Sequence, residues 1–506
     1  MKQFARRKFV QLGLTGASAL LGGITSVMAA GKIYREENTF NIKDFGAVAD
    51  GKTLNSQAIQ KAIDKCYKSG GGRVVVPAGT WLTGSLVLKS KVNLHLEKDA
   101  IVLSSQKMKD FPLRVPRTPA RYSKYMKRTT VYAQGEHDIS VTGNGVFDGN
   151  HLLDESGDFK AQQADNPTFI WFDECENVLV KDVTFQHSVW WTQTYSRCKH
   201  VHVDHITVRE NIMHNADGVD ILDCEDFIVE NCDINALDDG ICMKGYTDRG
   251  CNRGTIRNNK VRSICNGIKM GTDSSGGFRN ILIENNEVWN TGISALALEC
   301  VDGGILENIV ARNLTVNGSG TAIFIRLGNR NRKVYDSHTI QEGLIRNVHI
   351  SNVKGTMQKC IKLNDEEKKK YNLDGFANSI CGIPGMYVQD VTIENVDLTL
   401  LEGIWPIAPA EAALRAIPEE EKKYPENRMW GVLPAFGFYV RHVKGLRMKN
   451  ISVAIKQDDG RPAFMLDDVH DSVFDNISAS NNLLTPVIAT HQNCTNLTLN
   501  LPKKPA

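Results

Sequence analysis

The 506-residue chain lacks several things that would point elsewhere. Its 12 cysteines include no CxxC pair and no other metal-ligand spacing, so no zinc or iron–sulfur centre is written into the local sequence. Formal net charge is only +2, which removes the basic excess that nucleic acid or an acidic membrane requires. The one long uncharged stretch, residues 9–31, is diluted by Gly, Ser and Thr, a poor composition for a bilayer span. Neither helices between repeats nor a leucine-rich frame is evident, which argues against helical and leucine-rich solenoids. A balanced bulk charge still permits a local basic cleft.

What is present begins with a targeting segment over residues 1–30. Arg6-Arg7-Lys8 precedes a mild apolar stretch ending in Val27-Met28-Ala29-Ala30, and small residues at that point suit signal peptidase. The paired arginines resemble a bacterial twin-arginine signal. The expectation is export to the periplasm or medium, with cleavage rather than retention as a membrane anchor. An exported protein can form disulfides. The recurrence of Cys175, Cys198, Cys224, Cys242 and Cys265 near the repeat interval reads instead as small buried residues stacked in a regular core, with one or two disulfides at most.

From residue 34 to about 500 one motif dominates: apolar-x-(Asn or Asp)-apolar-x-apolar. Its Asn-like position falls at Asp182, His205, Asn231, Asn258, Asn285, Asn313, Asn352, Asn395, Asn450 and Asn476, with gaps of 23, 26, 27, 27, 28, 39, 43, 55 and 26 residues. A period in the mid-twenties with strand-like alternation predicts a single all-β solenoid of parallel strands. Asn at the turns can bond along the stack, and the long gaps predict loops inserted between rungs. Within them, Asp365–Lys370 and Pro418–Lys423 read as solvated charge runs, and the stretch Leu400 to Phe438, with Trp405 and Trp430, can fold back over a cleft. An open solenoid end needs cover. Residues 56–67 supply it as a helix presenting Ala58, Ile59, Ala62, Ile63, Cys66 and Tyr67 on one face, capped by Asn55 or Ser56 and ended by Gly70-Gly71-Gly72.

The chemistry sits in residues 215–244, NADGVDILDCEDFIVENCDINALDDGICMK. Asp217 is followed 21 and 22 residues later by Asp238 and Asp239, close to one solenoid turn, so three carboxylates can gather on one patch. Cleavage of a glycosidic bond needs such groups, an acid for the leaving oxygen and a base for water. Successive strand residues face opposite ways, so Asp238 and Asp239 share a cleft only at a strand end or bulge; the following Gly240 allows one. Solvated turn aspartates are the ordinary alternative.

With these residues in hand, the chain resembles the glycoside hydrolases of family 28, the polygalacturonases and rhamnogalacturonases. Their Asn-Thr-Asp motif stands here as Asn215-Ala216-Asp217, and their paired aspartates as Asp238-Asp239. The resemblance implies a right-handed parallel β-helix that cleaves pectic α-linkages with inversion and needs no metal or cofactor. It also implies Asp238 as general acid, with Asp217 and Asp239 holding and deprotonating the water. Three motifs depart from the family. The Gly-His-Gly place reads Cys265-Asn266-Gly267, the Arg-Ile-Lys motif that grips a galacturonate carboxylate is missing near ISALALEC, and Trp191-Thr192-Gln193-Thr194 lacks a family His. Candidate substrate-binding residues are therefore Asn215, Lys244, Asn266, Lys269, Trp191, Arg326, Arg441 and His442, with the two lysines as replacements for the lost basic motif.

The leading expectation is an exported, monomeric, inverting hydrolase of pectic poly- or oligosaccharides, acting from chain ends because late loops wall off the groove. Two other readings stand beside it: a carbohydrate-binding β-helix without activity, and a pectate-lyase-like β-eliminating enzyme, which needs calcium ligands and an arginine base.

Overall fold

A computed structural model describes residues 38–117, 126–150, 166–209, 215–335, 339–358, 377–401, 416–457, 459–480 and 489–501. Residues 1–30, Trp405 and the run Asp365–Lys370 lie outside them. Strands run from Thr39 to Asn500 and join one 35-stranded sheet, coiled as a right-handed parallel β-helix. Each turn of the coil contributes to three stacks, as separate short strands in the earlier turns and, from Ile305–Ser319 on, partly as long strands that run through a corner from one stack into the next. The first stack includes Glu176–Lys181, Lys199–Asp204, Glu225–Glu230 and Cys251–Arg257. The second includes Thr184–Gln186, Thr207–Arg209, Asp233–Ala236 and Lys260–Ser263. The third, which carries the site, runs through Gln193–Ser196, Val219–Leu222, Ile241–Gly245, Ile268–Ser274, Ser294–Cys300 and Thr321–Leu327.

The repeat motif marks the corner between the first and second stacks. Asn258, Asn285 and Asn313 all have φ of 56°, a left-handed conformation that Asn tolerates better than other non-glycine residues. Their side chains then bond up the stack. Asn313 Nδ2 donates to Asn285 Oδ1 at 2.8 Å, Asn352 to Asn313 at 2.9 Å, Asn395 to Asn352 at 3.1 Å, Asn450 to Asn395 at 2.9 Å and Asn476 to Asn450 at 2.9 Å. The residue that makes the corner thus also registers the rungs, even where successive corners stand 39 to 55 residues apart.

Inside the coil, Val, Ile, Leu and Phe form one continuous core, and Cys175, Cys198, Cys224 and Cys251 belong to it. The described cysteines are unpaired. Cys242 and Cys265 depart from the expected stacking: both are buried but outside this core, and Cys242 Sγ lies 3.6 Å from Asp239 Oδ2.

The N-terminal end is closed by a helix, Ser56–Lys68, with Ala58, Ile59, Ala62, Ile63 and Cys66 buried. Two details differ from expectation. Tyr67 is 48% exposed, because the helix meets the first rung over a face too narrow to include it. Asn55 occupies the N-cap position without capping; its amide bridges Val48 N, Val48 O, Thr53 O and Leu82 O, tying the preceding loop to the coil.

Candidate active site

The site forms where the chain turns from the second stack into the third. Val219 pairs with Ile241 and Ile241 with Ile268. Two residues upstream of each stand Asp217, Asp239 and Asn266, so these three occupy the same level on successive rungs, which lie about 4.8 Å apart. The backbone keeps this column in register: Gly218 N donates to Asp239 O at 2.9 Å and Gly240 N to Asn266 O at 2.8 Å. Gly218, Gly240 and Gly267 follow the three side chains. A Cβ on Gly240 would meet Val261 Cγ1 at 2.3 Å and Gly267 O at 2.6 Å, so only glycine lets the corner close this tightly. Asp238 and Asp239 lie in that corner, between Asp233–Ala236 and Ile241–Gly245. Strand alternation therefore does not separate them.

Alternation on the strand itself sets the next layer. Val219 and Ile221 point into the core, which turns Asp220 outward beside Asp217. Met243 likewise points inward, leaving Cys242 and Lys244 outside. Lys244 Nζ lies 3.0 Å from Asp217 Oδ2, is bonded to Asp220 Oδ1, and sits 4.5 Å from the centre of the Trp191 ring. Lys269 Nζ lies 3.0 Å from Asp239 Oδ2 and 3.9 Å from Glu299 Oε2. Asn266 Nδ2 donates to Asp239 Oδ1 at 2.8 Å, and Asn215 Nδ2 to Asp238 Oδ2 at 3.3 Å.

These partners split the acids by protonation. Burial, then the neighbouring Asp217 and Asp239 carboxylates, push Asp238 well above the usual carboxylate range. Burial pushes Asp239 the same way, but Lys269, Lys244 and the Asn266 amide outweigh it and hold the group below its ordinary value. Asp217 is raised by burial against the pull of Lys244, and Asp220 is raised well above normal by burial and by Asp217. Burial lifts Glu299 to about 8. Burial alone would strip the proton from either lysine, yet Asp220 keeps Lys244, and Asp239 keeps Lys269, charged. Corner acids with such opposed environments are what acid and base roles require. Asp217, Asp220 and Cys242 are also close enough to share a cation; the Lys244 ammonium already bonds both aspartates.

Of the residues singled out from sequence, Asn215, Asp217, Asp238, Asp239, Lys244, Asn266, Lys269 and Trp191 come together here. The two lysines, however, point at protein acids rather than at open cleft. Trp191 and its neighbour Trp190 both join an outer apolar cluster with Tyr132, Trp171 and Tyr246. Arg326, Arg441 and His442 lie elsewhere on the third stack and hold a loop. Arg326 donates to Gly382 O at 2.8 Å, Glu419 O at 2.8 Å and Glu420 O at 3.1 Å, with its guanidinium 5.3 Å from the Trp430 ring centre. Arg441 donates to Ile417 O at 2.8 Å, and His442 pairs with Glu419 at 3.0 Å and Asp468 at 2.6 Å.

The held loop, residues 416–430, docks through Met429 and Trp430 onto Ala297, Phe324 and Tyr439. It brings Tyr424 Oη to 3.5 Å from Lys269 Nζ. The long insert thus does fold back beside the acids. Asp220, Glu299 and Tyr424 were not anticipated. Alternation within VDIL and SALALEC marks the first two as outward; nothing local marks Tyr424, which is 155 residues from Lys269.

Residues 66–399 match the family described as Glycosyl hydrolases family 28. A probable polygalacturonase of Vitis vinifera is 27% identical over 329 residues, 58% of this chain and 64% of that protein. An exo-poly-alpha-D-galacturonosidase of Dickeya chrysanthemi is 25% identical over 360 residues, 57% of this chain and 59% of that protein. The matched regions thus span only 64% and 59% of these curated relatives. The solved hyperthermoactive exopolygalacturonase of Thermotoga maritima superposes with a TM-score of 0.59 at 21% identity, covering 88% of this chain and 96% of that one, a likeness of fold. Three corner carboxylates on adjacent rungs, and a family match covering well over half the sequence, lead to one statement: the chain belongs to family 28 of the glycosyl hydrolases.

Proposed function

We propose that this protein hydrolyses α-glycosidic bonds in pectic poly- or oligosaccharides of the galacturonate or rhamnogalacturonan type, from chain ends and with inversion of configuration. The observation that carries the reading is the gathering of Asp217, Asp238 and Asp239 in one buried corner, with Lys269 and Asn266 bonded to Asp239 and the Asn215 amide to Asp238. Asp238, which burial and the neighbouring Asp217 and Asp239 carboxylates raise well above the usual carboxylate range, holds the proton and delivers it to the departing glycosidic oxygen. Asp239, held charged by Lys269 and Asn266, and Asp217 position a water and take its proton as it attacks the anomeric carbon from the other face. Asp239 has both oxygens engaged, whereas Asp217 Oδ1 has no hydrogen-bond partner among the described residues, which favours Asp217 as the acceptor of the water proton. Family membership and the names of the polygalacturonase relatives support the substrate class. The docked loop 416–430 supports chain-end action, since it stands as a wall beside the acids. Export is part of the same proposal, supported by the Arg6-Arg7 leader.

The test is Asp238→Asn, which keeps size but cannot donate the proton as an acid. Its rate on natural glycosides should fall about 10²–10⁴-fold, with more activity recovered on a substrate bearing a good leaving group than in Asp217→Asn. NMR of the first product should show the inverted anomer before mutarotation. Retention of configuration, or near-normal activity in Asp238→Asn, would overturn the assignment; ultraviolet-absorbing unsaturated products would indicate elimination.

A further inference from the structure

Five carboxyl groups crowd the site, Asp217, Asp220, Asp238, Asp239 and Glu299, and two ammonium groups, Lys244 and Lys269, lie among them. Lys244 is taken by Asp217 and Asp220, and Lys269 by Asp239 and Glu299. The cations farther along the sheet are engaged as well. Arg330, whose guanidinium sits 5.6 Å from the Tyr424 ring centre, is gripped by Asp302 through Nε at 2.8 Å and through Nη2. Arg332 bonds Asp273 at 2.8 Å and Asp302 at 3.1 Å. Arg326 is spent on backbone carbonyls and Arg441 on Glu419 and Asp467.

Two charged carboxylates balance the two lysines, and the remaining three carboxyls must hold protons or repel one another. A uronate carboxylate lodged here would be a further anion without a cation. To bind, it would have to draw a lysine away from its buried acid, leaving that acid unpaired, which is costly. A neutral sugar carries no such cost, because hydroxyl groups both donate to and accept from carboxyls and their protonated forms.

We propose that the glycosyl unit seated against Asp217, Asp238 and Asp239, the one whose anomeric bond is cut, is a neutral hexose or deoxyhexose rather than a uronic acid, and that the engagement of Lys244 and Lys269 by buried protein acids enforces this choice. The proposal rests on the hydrolase reading above. In a pectic chain with both neutral and acidic units, it assigns the neutral unit to the cleaved bond and leaves acidic units to flanking positions.

The experiment uses the full chain and three 4-nitrophenyl glycosides: α-D-galactopyranoside, α-L-rhamnopyranoside and α-D-galacturonide. The first and third differ only at C6, where a hydroxymethyl replaces a carboxylate. At least one neutral glycoside should exceed the galacturonide in kcat/KM by about tenfold or more, given the strength of unscreened charge in a buried site. Glu299→Lys adds a cation and should shift the ratio toward the galacturonide; Glu299→Gln, the gentler variant, should shift it in the same direction at pH 9, where the wild-type carboxyl is charged. A galacturonide turned over as well as the neutral glycosides, or a ratio unmoved in both variants, overturns the proposal. Calorimetry of Asp238→Asn with methyl α-D-galactoside, methyl α-L-rhamnoside and methyl α-D-galacturonoside separates the two levels of inference. Selective binding of a neutral glycoside without turnover of any by the native chain would sink the hydrolase reading and leave this proposal standing. Binding of the galacturonoside alone, or of none, would sink this one.

Discussion

Glu299→Gln should make the protein more stable in alkali and leave it nearly unchanged in acid. The Glu299 carboxyl is fully buried, and neither oxygen has a hydrogen-bond partner among the described residues; Lys269 is 3.9 Å away and already serves Asp239 at 3.0 Å, and Arg330, the other cation that acts on Glu299, is held by Asp302. In the unfolded chain the group loses its proton near pH 4.5, and in the folded protein near pH 8. Folding therefore takes up a proton between those values. The favourable state is intact below pH 4.5 and is lost as pH rises toward 8. A shift of this size corresponds to a ceiling of about 5 kcal/mol at 1.36 kcal/mol per unit; rearrangement of Lys269 toward Glu299 lowers it, so about 2–3 kcal/mol is expected. Glutamine has the same shape and cannot ionise. Urea denaturation of both proteins at pH 5 and pH 9 reads the effect directly. The variant should match the native protein within about 1 kcal/mol at pH 5, half a unit above the unfolded chain's value, where little of the penalty has developed, and gain about 2–3 kcal/mol on it at pH 9. The same difference at both pH values, or a loss at pH 9, would show that Glu299 is charged and stably paired in the fold, and the account of Lys269 as chiefly the partner of Asp239 would fail.

Lys244→Met removes an ammonium shared by two buried aspartates and should cost about 3–5 kcal/mol at pH 8. The cost should be smaller at pH 5, where Asp217 and Asp220 take up protons readily, and kcat should fall on neutral and acidic substrates alike; a rise in KM confined to acidic substrates would restore the lysine as a substrate clamp. Arg326→Ala frees three carbonyls and the face of Trp430, so the loop 416–430 should become a site of limited proteolysis and stability should fall by about 2–3 kcal/mol. Unchanged protease resistance would mean the loop is held by Met429 and Trp430 alone. Gly240→Ala forces a methyl against Val261 and Gly267 O and should lower stability by about 1–3 kcal/mol while displacing Asp239, with a loss of kcat measurable even at temperatures where the variant is fully folded.

The division between local and long-range information is visible residue by residue. The coil, its corner asparagines and its capping helix were legible because each rung repeats one local problem: alternate apolar residues inward, turn with a residue that tolerates positive φ, bond to the rung below. The three acids were legible for the same reason, since 21 and 22 residues is one turn of that repeat and Gly240 marks the corner. The outward direction of Asp220, Lys244 and Glu299 also follows from alternation once the strands are placed.

What those outward groups touch was decided by tertiary structure alone. Whether Lys244 and Lys269 meet a substrate or a protein carboxylate depends on which side chains stand on the adjoining rungs and how deeply the cleft is desolvated. Arg326, Arg441 and His442 look like ligand cations in sequence, and become loop anchors only because residues 416–430 return to the sheet and present backbone carbonyls and Glu419 to them. Tyr67 and Asn55 likewise look like a buried helix-face residue and a cap in sequence, but the contact between helix and first rung leaves one exposed and spends the other on a neighbouring loop. A β-helix encodes its rungs in short-range periodicity, whereas charge pairing and loop docking depend on free-energy differences between partners far apart in the chain, and those differences exist only once the coil has brought the partners together.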